Sequence, residues 1–262
     1  MIELTTDPDH RILVGSSLAE HDLPDGIVAD CLIADPPYSA RTHEGHDSLQ
    51  RHRLTVMYND KTGLPVTTKV GRRINYSGWT EQTAQRACLL WSPRVAGWIV
   101  VITDHILAPF WAAGLEAQGR YVFAHLPWFS PGSRVRLAGD GPSSWTCWIV
   151  VARPRHEPYS KWGTLPGGYV TRPEHCDLAG GKPLTLMRAL VRDYSRECDT
   201  VWDPCCGAGT TMVAARMEGR RSIGMEIDRE TAELAARRVG ETRQETIRFP
   251  ARPAGEQGSL IP

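Results

Sequence analysis

The sequence predicts an α/β domain in which a parallel-type sheet is covered by helices. Short apolar runs alternate with amphipathic stretches along the chain, the pattern of that class. The 262 residues are 41% hydrophobic and 23% charged, with mean hydropathy −0.32, the usage of one domain able to bury a sizeable core. No run approaches the ~18 consecutive apolar residues of a membrane span.

Taken in order, apolar runs place strands at 11–14, 27–34, 98–103, 121–126, 145–152, 199–203 and 221–226. The amphipathic stretches between them place helices at 80–92, 106–117, 184–195, 210–218 and 229–239. Residues 39–78, 127–144 and 153–182 break the alternation, being polar, or rich in Gly, Pro, Arg and Trp. Segments of that length inside a domain are usually functional or disordered. Residues 1–240 therefore read as one domain with three insertions, and 241–262, polar and Pro-containing, as a flexible tail.

The opening MIELTTDPDH lacks the basic start and apolar run of a secretory signal, so a cytoplasmic location is expected. Seven cysteines, an odd count without a CxxC pair, read as reduced thiols. The histidines show no ligand spacing, and no metal is expected. Thirty basic and thirty acidic residues cancel, but their distribution is uneven. Residues 1–38 hold eight acids against Arg11, whereas 39–75 carry a net +4. A positive segment beside an acidic one is a better guide to a polyanionic partner than the total.

Two motifs carry chemistry. Asp35-Pro36-Pro37-Tyr38 follows the apolar run IVADCLIA, where open α/β sheets place their sites. Two prolines stiffen the loop, so the Asp35 carboxylate and the Pro36 carbonyl can accept two N–H bonds from one amino group. Tyr38 offers a flat face to a ring. An ordinary strand-ending turn would also use Asp-Pro. The second motif is VWDPCCGAGTT, a strand, a tight glycine loop and a helix start. It comprises Asp203, Pro204, Cys205, Cys206, Gly207, Ala208, Gly209, Thr210 and Thr211. Gly207 and Gly209 would let backbone approach a ligand, and Thr210 and Thr211 can cap the helix. The strand SIGMEID brings Glu226 23 residues after Asp203, placed to accept ribose hydroxyls. A Gly-x-Gly alone is a weak signal, but the whole order favours a nucleoside cofactor.

DPPY and DPCCGAGTT, in that order, resemble the S-adenosylmethionine-dependent DNA amino-methyltransferases of the β motif order, adenine-N6 or cytosine-N4 specific. GGKPLTLMRALVRDYS, with Lys182 and Pro183, resembles that family's Lys-Pro motif at the cofactor, and RSIGMEID its ribose-binding strand. The resemblance implies a doubly wound, mostly parallel, seven-stranded methyltransferase fold with inserted DNA-recognition loops. It implies methyl transfer from S-adenosylmethionine to the exocyclic amine of a base flipped out of double-stranded DNA. Asp35 and Pro36 would hold the amine, Pro37 would stiffen the turn, and Tyr38 would stack on the ring. Asp in first place goes more often with adenine N6; cytosine N4, an RNA substrate and a catalytically idle DNA-binding module are the alternatives. A homodimer is expected from related enzymes.

Pro204-Cys205 invites a nucleophilic cysteine as in cytosine-C5 enzymes, but this cysteine lies in the cofactor loop and DPPY has no thiol. The expected DNA contacts are Arg41, Arg51, Arg53, Arg72 and Arg73 in the first insertion, with Arg134, Arg136 and Arg155 in the others reaching phosphates or guanine edges. Trp128 and Trp162 lie in irregular segments, where base stacking competes with ordinary packing.

Overall fold

The computed structural model describes residues 2–4, 8–26, 28–42, 57–58, 65–66, 77–132, 142–155, 162–174 and 181–243. Twelve strands are described: β1 Ile2–Glu3, β2 His10–Val14, β3 Cys31–Ala34, β4 Met57–Tyr58, β5 Pro65–Val66, β6 Ile99–Thr103, β7 Arg120–Val122, β8 Leu126–Phe129, β9 Thr146–Pro154, β10 Tyr169–Val170, β11 Thr200–Asp203 and β12 Arg221–Glu226. Five α-helices accompany them: α1 Glu81–Trp91, α2 Ala108–Ala117, α3 Leu184–Tyr194, α4 Thr210–Met217 and α5 Arg229–Glu241. Each helix and strand expected from the sequence is present.

Ten strands form one sheet in the order β1-β2-β12-β11-β3-β6-β9-β8-β10, with β7 also on β9; β4 and β5 pair separately. The run β2-β12-β11-β3-β6 is parallel, and β9 joins it antiparallel. The excess over seven has local causes. The strand expected at 121–126 is two, because Val122 pairs with Ala152 and Leu126 with Ile149. Four steps on one side oppose three on the other, a bulge that breaks the strand. The edge strands β1 and β10 have two residues each, too few to show a period.

The pleat sorts the core into layers. Leu32, Ala34, Ile99 and Val101 face one side, where α1 and α2 bring Ala84, Ala87, Trp91, Trp111 and Leu115. Cys31, Ile33, Val100 and Ile102 face the other, against Leu186, Met187, Leu190 and Val191 of α3 and Ala214 of α4. The spacing of those α3 residues is one helical stripe, and burying Leu186 and Leu190 contributes about 1.5–3 kcal/mol each. Ile12 packs with Met212 of α4 and Ala232, Ala235 and Val239 of α5. No helix among the described residues is long and apolar enough to cross a membrane.

From β11 the chain passes through α4 to β12 on one side; from β3 it passes through α1 to β6 on the other. The reversal falls between β3 and β11, and the carboxyl ends of strands at such a point are where open α/β sheets bind ligands. These strands are neighbours, with Val201 opposite Cys31 and Trp202 opposite Leu32.

Candidate active site

Four adjacent parallel strands each deliver a carboxylate to that end of the sheet. Asp104 follows β6, Asp35 follows β3, Asp203 closes β11 and Glu226 closes β12. Mutual repulsion makes such a row costly unless hydrogen bonds or a cation offset it. Most of its oxygens are satisfied within the fold.

Asp203 is 2% exposed; its Oδ1 accepts the Cys205 N–H at 3.0 Å and its Oδ2 the Thr211 hydroxyl at 2.5 Å. Burial pushes its carboxyl up to about 7, against those two bonds, and the charges of Asp35 and Glu226 add to the rise. Glu226 accepts the Gly207 N–H at 3.0 Å and the Asp228 N–H at 2.9 Å on different oxygens. Burial holds it above the ordinary carboxylate range despite these bonds. The Ile227 N–H also bonds this carboxylate, and of its four lone-pair sites one is left for a hydroxyl group.

The glycine loop is fixed from below. Gly207 and Gly209 lie at φ +51° and +76°, in the left-handed region. A Cβ on Gly207 would meet nothing within 4 Å, whereas one on Gly209 would stand 2.9 Å from Cβ of Ala235. Open space thus remains above Gly207, whereas Gly209 is needed for packing against α5. Arg238 of α5 also donates to the Ala208 carbonyl. The expected threonine caps are corrected as well. Gly209 occupies the N-cap of α4 with no side-chain cap, and Thr211 turns to Asp203 instead.

Asp35 is paired on one oxygen only. Lys182, 7% exposed, donates to Oδ2 of Asp35, while Oδ1 is buried and has no partner among the described residues. The same ammonium lies 4.9 Å from the centroid of the buried Tyr38 ring. Lys182, grouped with the cofactor by resemblance, thus makes these contacts with the DPPY tetrapeptide. Pro183 is the N-cap of α3, whose first N–H groups are taken by Glu174, at 2.8 Å from Leu184 and 3.4 Å from Thr185. Pro36 is buried and Pro37 half-buried between Asp35 and Tyr38.

Sequence reasoning missed what holds the other end of the tetrapeptide. Asp104, 5% exposed, accepts the Ser39 N–H at 2.9 Å, the Ser39 hydroxyl at 2.5 Å and the Thr42 hydroxyl at 2.6 Å. Trp79 donates its backbone N–H to the Tyr38 carbonyl at 2.9 Å. The signal for Asp104 was available: it is the first residue beyond an apolar strand, the criterion that found Asp35.

Burial pushes the Cys205 and Cys206 thiols well above the ordinary range, and the Asp203 charge adds to it, so neither is a ready nucleophile. Trp128 is 6% exposed and donates to Thr171 at 2.9 Å; Trp162 packs edge-on against Trp98 beneath Arg196. Both serve packing in this fold.

The expected DNA contacts divide. Arg41 is exposed, two residues beyond Ser39 and so beside the site. Arg155 is exposed at the far end: β9 runs antiparallel to β6, with Ala152 already opposite Ile99 at the start of β6. It lies over the Tyr121 ring at 5.8 Å and is not brought to Asp35. Arg51, Arg53, Arg72, Arg73, Arg134 and Arg136 lie outside the described residues.

Residues 147–237 match the N6_N4_Mtase model, described as DNA methylase. The Type II methyltransferase M.MthZI of Methanothermobacter thermautotrophicus is 44% identical over 64 residues, 24% of this chain and 18% of that protein. M.MjaI of Methanocaldococcus jannaschii is 34% identical over 82 residues, 31% of this chain and 27% of that protein. M.Cfr9I of Citrobacter freundii is 23% identical over 154 residues, 53% and 51%. The chain thus spans 18% of the first of these relatives and 27% of the second.

Among solved structures, the M1.HpyAVI–SAM complex superposes with TM-score 0.56 at 18% identity, covering 87% of this chain and 98% of that one. PvuII DNA methyltransferase (cytosine-N4-specific) gives 0.59 at 14%, covering 89% and 87%. These likenesses show the fold: the expected α/β methyltransferase architecture is borne out. The family match and the relatives agree with the resemblance read from DPPY and DPCCGAGTT.

Proposed function

We propose that this chain, which carries the N6/N4 DNA methylase match over 147–237, is an S-adenosylmethionine-dependent DNA amino-methyltransferase acting through Asp35. One observation carries the reading. Of the eight oxygens on the four strand-end carboxylates, only Oδ1 of Asp35 lacks a partner among the described residues. It lies buried beyond the carboxyl end of β3, the neighbour of the glycine-loop strand β11, and an N–H brought to it would satisfy it.

The residues fit the cofactor. The space over Gly207 is open to a ligand, the remaining lone pair of Glu226 suits a ribose hydroxyl, and the carboxylate row favours a cation over a neutral molecule. S-adenosylmethionine, when bound, supplies a sulfonium methyl group and keeps the bonding electron pair as it becomes a thioether. Asp35 Oδ1 and the Pro36 carbonyl would each accept one N–H of the base amine, leaving its lone pair to form the new N–C bond. The methylated nitrogen then carries one proton too many, and Asp35 Oδ1 is placed to take it. Tyr38 would bound the base on one face. Catalysis of this kind is orientation plus electrostatics, with no covalent intermediate on the protein.

Adenine N6 is the proposed target, from Asp in first place of the tetrapeptide; the cytosine-N4-specific PvuII neighbour keeps cytosine N4 as the second reading. Double-stranded DNA gripped by the basic insertions and a homodimeric assembly belong to the same proposal. Oligonucleotide duplexes and RNA, each incubated with labelled S-adenosylmethionine, test the substrate class. Label in adenine of DNA supports it, and label in RNA alone refutes it.

A further inference from the structure

We infer that Asp104 is a positioning residue for methyl transfer, holding the DPPY tetrapeptide in its working shape through Ser39 and Thr42. This rests on the proposed function and adds a residue to it. Asp104 sits at the carboxyl end of β6, next to β3, so it reaches the chain just as this leaves Tyr38. Its two oxygens divide the work. Oδ1 accepts the N–H groups of Ile106 at 3.1 Å and Leu107 at 2.9 Å, which anchors it to the start of α2. Oδ2 accepts all three donors of the tetrapeptide side, from Ser39 and Thr42.

A carboxylate is the fitting group for this place. Five donors converge on it, more than a neutral side chain can satisfy, and an amide would present N–H to three further donors. Burial alone would raise its carboxyl, but these bonds outweigh burial and hold it below the ordinary range, so it stays charged. On the other flank, Trp79 fixes the Tyr38 carbonyl, and its ring packs on Trp111 of α2 and Trp91 of α1. Tyr38 is thereby held between β6 and a tryptophan cluster, while Lys182 holds Asp35. An error of about 1 Å in such a loop costs roughly 10²-fold in rate.

The test compares wild type, Asp104→Asn, the Ser39→Ala/Thr42→Ala pair and their combination. Asp104→Asn is expected to lower kcat about 10–100-fold, with KM for DNA and Kd for S-adenosylmethionine nearly unchanged. In the Ser39→Ala/Thr42→Ala background the same substitution should add little, since the partners are gone. Equal losses in both backgrounds, or wild-type kcat in Asp104→Asn, would overturn the inference. If Asp104→Asn does not fold, the Ser39→Ala/Thr42→Ala pair decides by itself: a fall in kcat supports the role and wild-type kcat overturns it. Hydrogen exchange at the Ser39 and Trp79 amides is read even if wild type transfers no methyl group, an outcome that refutes the proposed function. Faster exchange there in Asp104→Asn, with the interior of α2 still protected, supports the clamp; unchanged exchange overturns it.

Discussion

Lys182 donates to Oδ2 of Asp35, while Oδ1 of the same carboxylate is buried without a partner among the described residues. The pair joins the amino-terminal DPPY motif to the Lys-Pro motif 147 residues later in the chain. Its effect is directional: one oxygen is committed to the protein, and under the proposed function the other is the one left for the substrate amine.

Lys182→Met should therefore act on chemistry. It is expected to lower methyl transfer about 10–100-fold, with a smaller change in S-adenosylmethionine affinity. Calorimetry beside single-turnover rates checks this. A lost affinity with an unchanged rate would mean that the ammonium serves the cofactor and that its contact with Asp35 is incidental.

The two glycines of the loop should separate in their effects. Gly209→Ala puts a methyl group 2.9 Å from Ala235, at φ +76°, so it should lower Tm, by about 1–3 kcal/mol of stability. Gly207→Val extends into open space and should cost mainly its left-handed strain, about 1–2 kcal/mol, while abolishing cofactor binding. Thermal melts and calorimetry on both variants check the split.

The fold was largely legible because its elements are long and strongly periodic. The stripe of α3 and the continuous run into β3 each had one reading. The broken strand β7/β8 was not, because the bulge leaves no break in the mainly apolar run YVFAHL. The placement of Asp35, Glu226 and Gly207 at the carboxyl ends of their strands was legible, because each closes or follows an apolar run. The site was misread where the demand comes from tertiary contact. Gly209 answers to α5, Thr211 answers to Asp203, and Arg155 is carried to the far end by the antiparallel course of β9. Local sequence holds no trace of those partners.

Asp203 should make cofactor binding depend on pH. Its carboxyl is raised from 3.8 to about 7, so in that interval the folded chain holds a proton that the unfolded chain has released. Its contribution to stability is fully present below the lower value and is lost as pH rises through about 7. The ionised form is the one that attracts a cation, so S-adenosylmethionine affinity should rise over the same interval. Asp203→Asn should flatten both trends, leaving the like-signed shifts of Glu226, Asp193 and Asp199. Melts and calorimetry from pH 5 to 8, at about unit steps, follow the titration. Equal pH dependence in the variant would contradict the assignment.

Salt dependence separates the arginines. Replacing Arg51, Arg53, Arg72 and Arg73 together should flatten the slope of log K against log salt, by about 0.9 for each phosphate no longer neutralised. Arg155→Ala should leave it unchanged, since that side chain lies at the opposite end of the sheet from Asp35. Filter binding over a salt series reads both.

The central claim is that Asp35 directs methyl transfer to an exocyclic amine of DNA. Its most direct test is nucleoside mass spectrometry of duplex DNA after incubation with S-adenosylmethionine and either the wild-type chain or Asp35→Ala. N6-methyladenine is the product expected from wild type. In the variant, loss of the acceptor should lower the yield by about 10²–10³-fold, with cofactor affinity nearly intact. Methylation by the variant within about tenfold of wild type, a barrier change of only ~1.4 kcal/mol, or methyl groups on ring carbon, would contradict it.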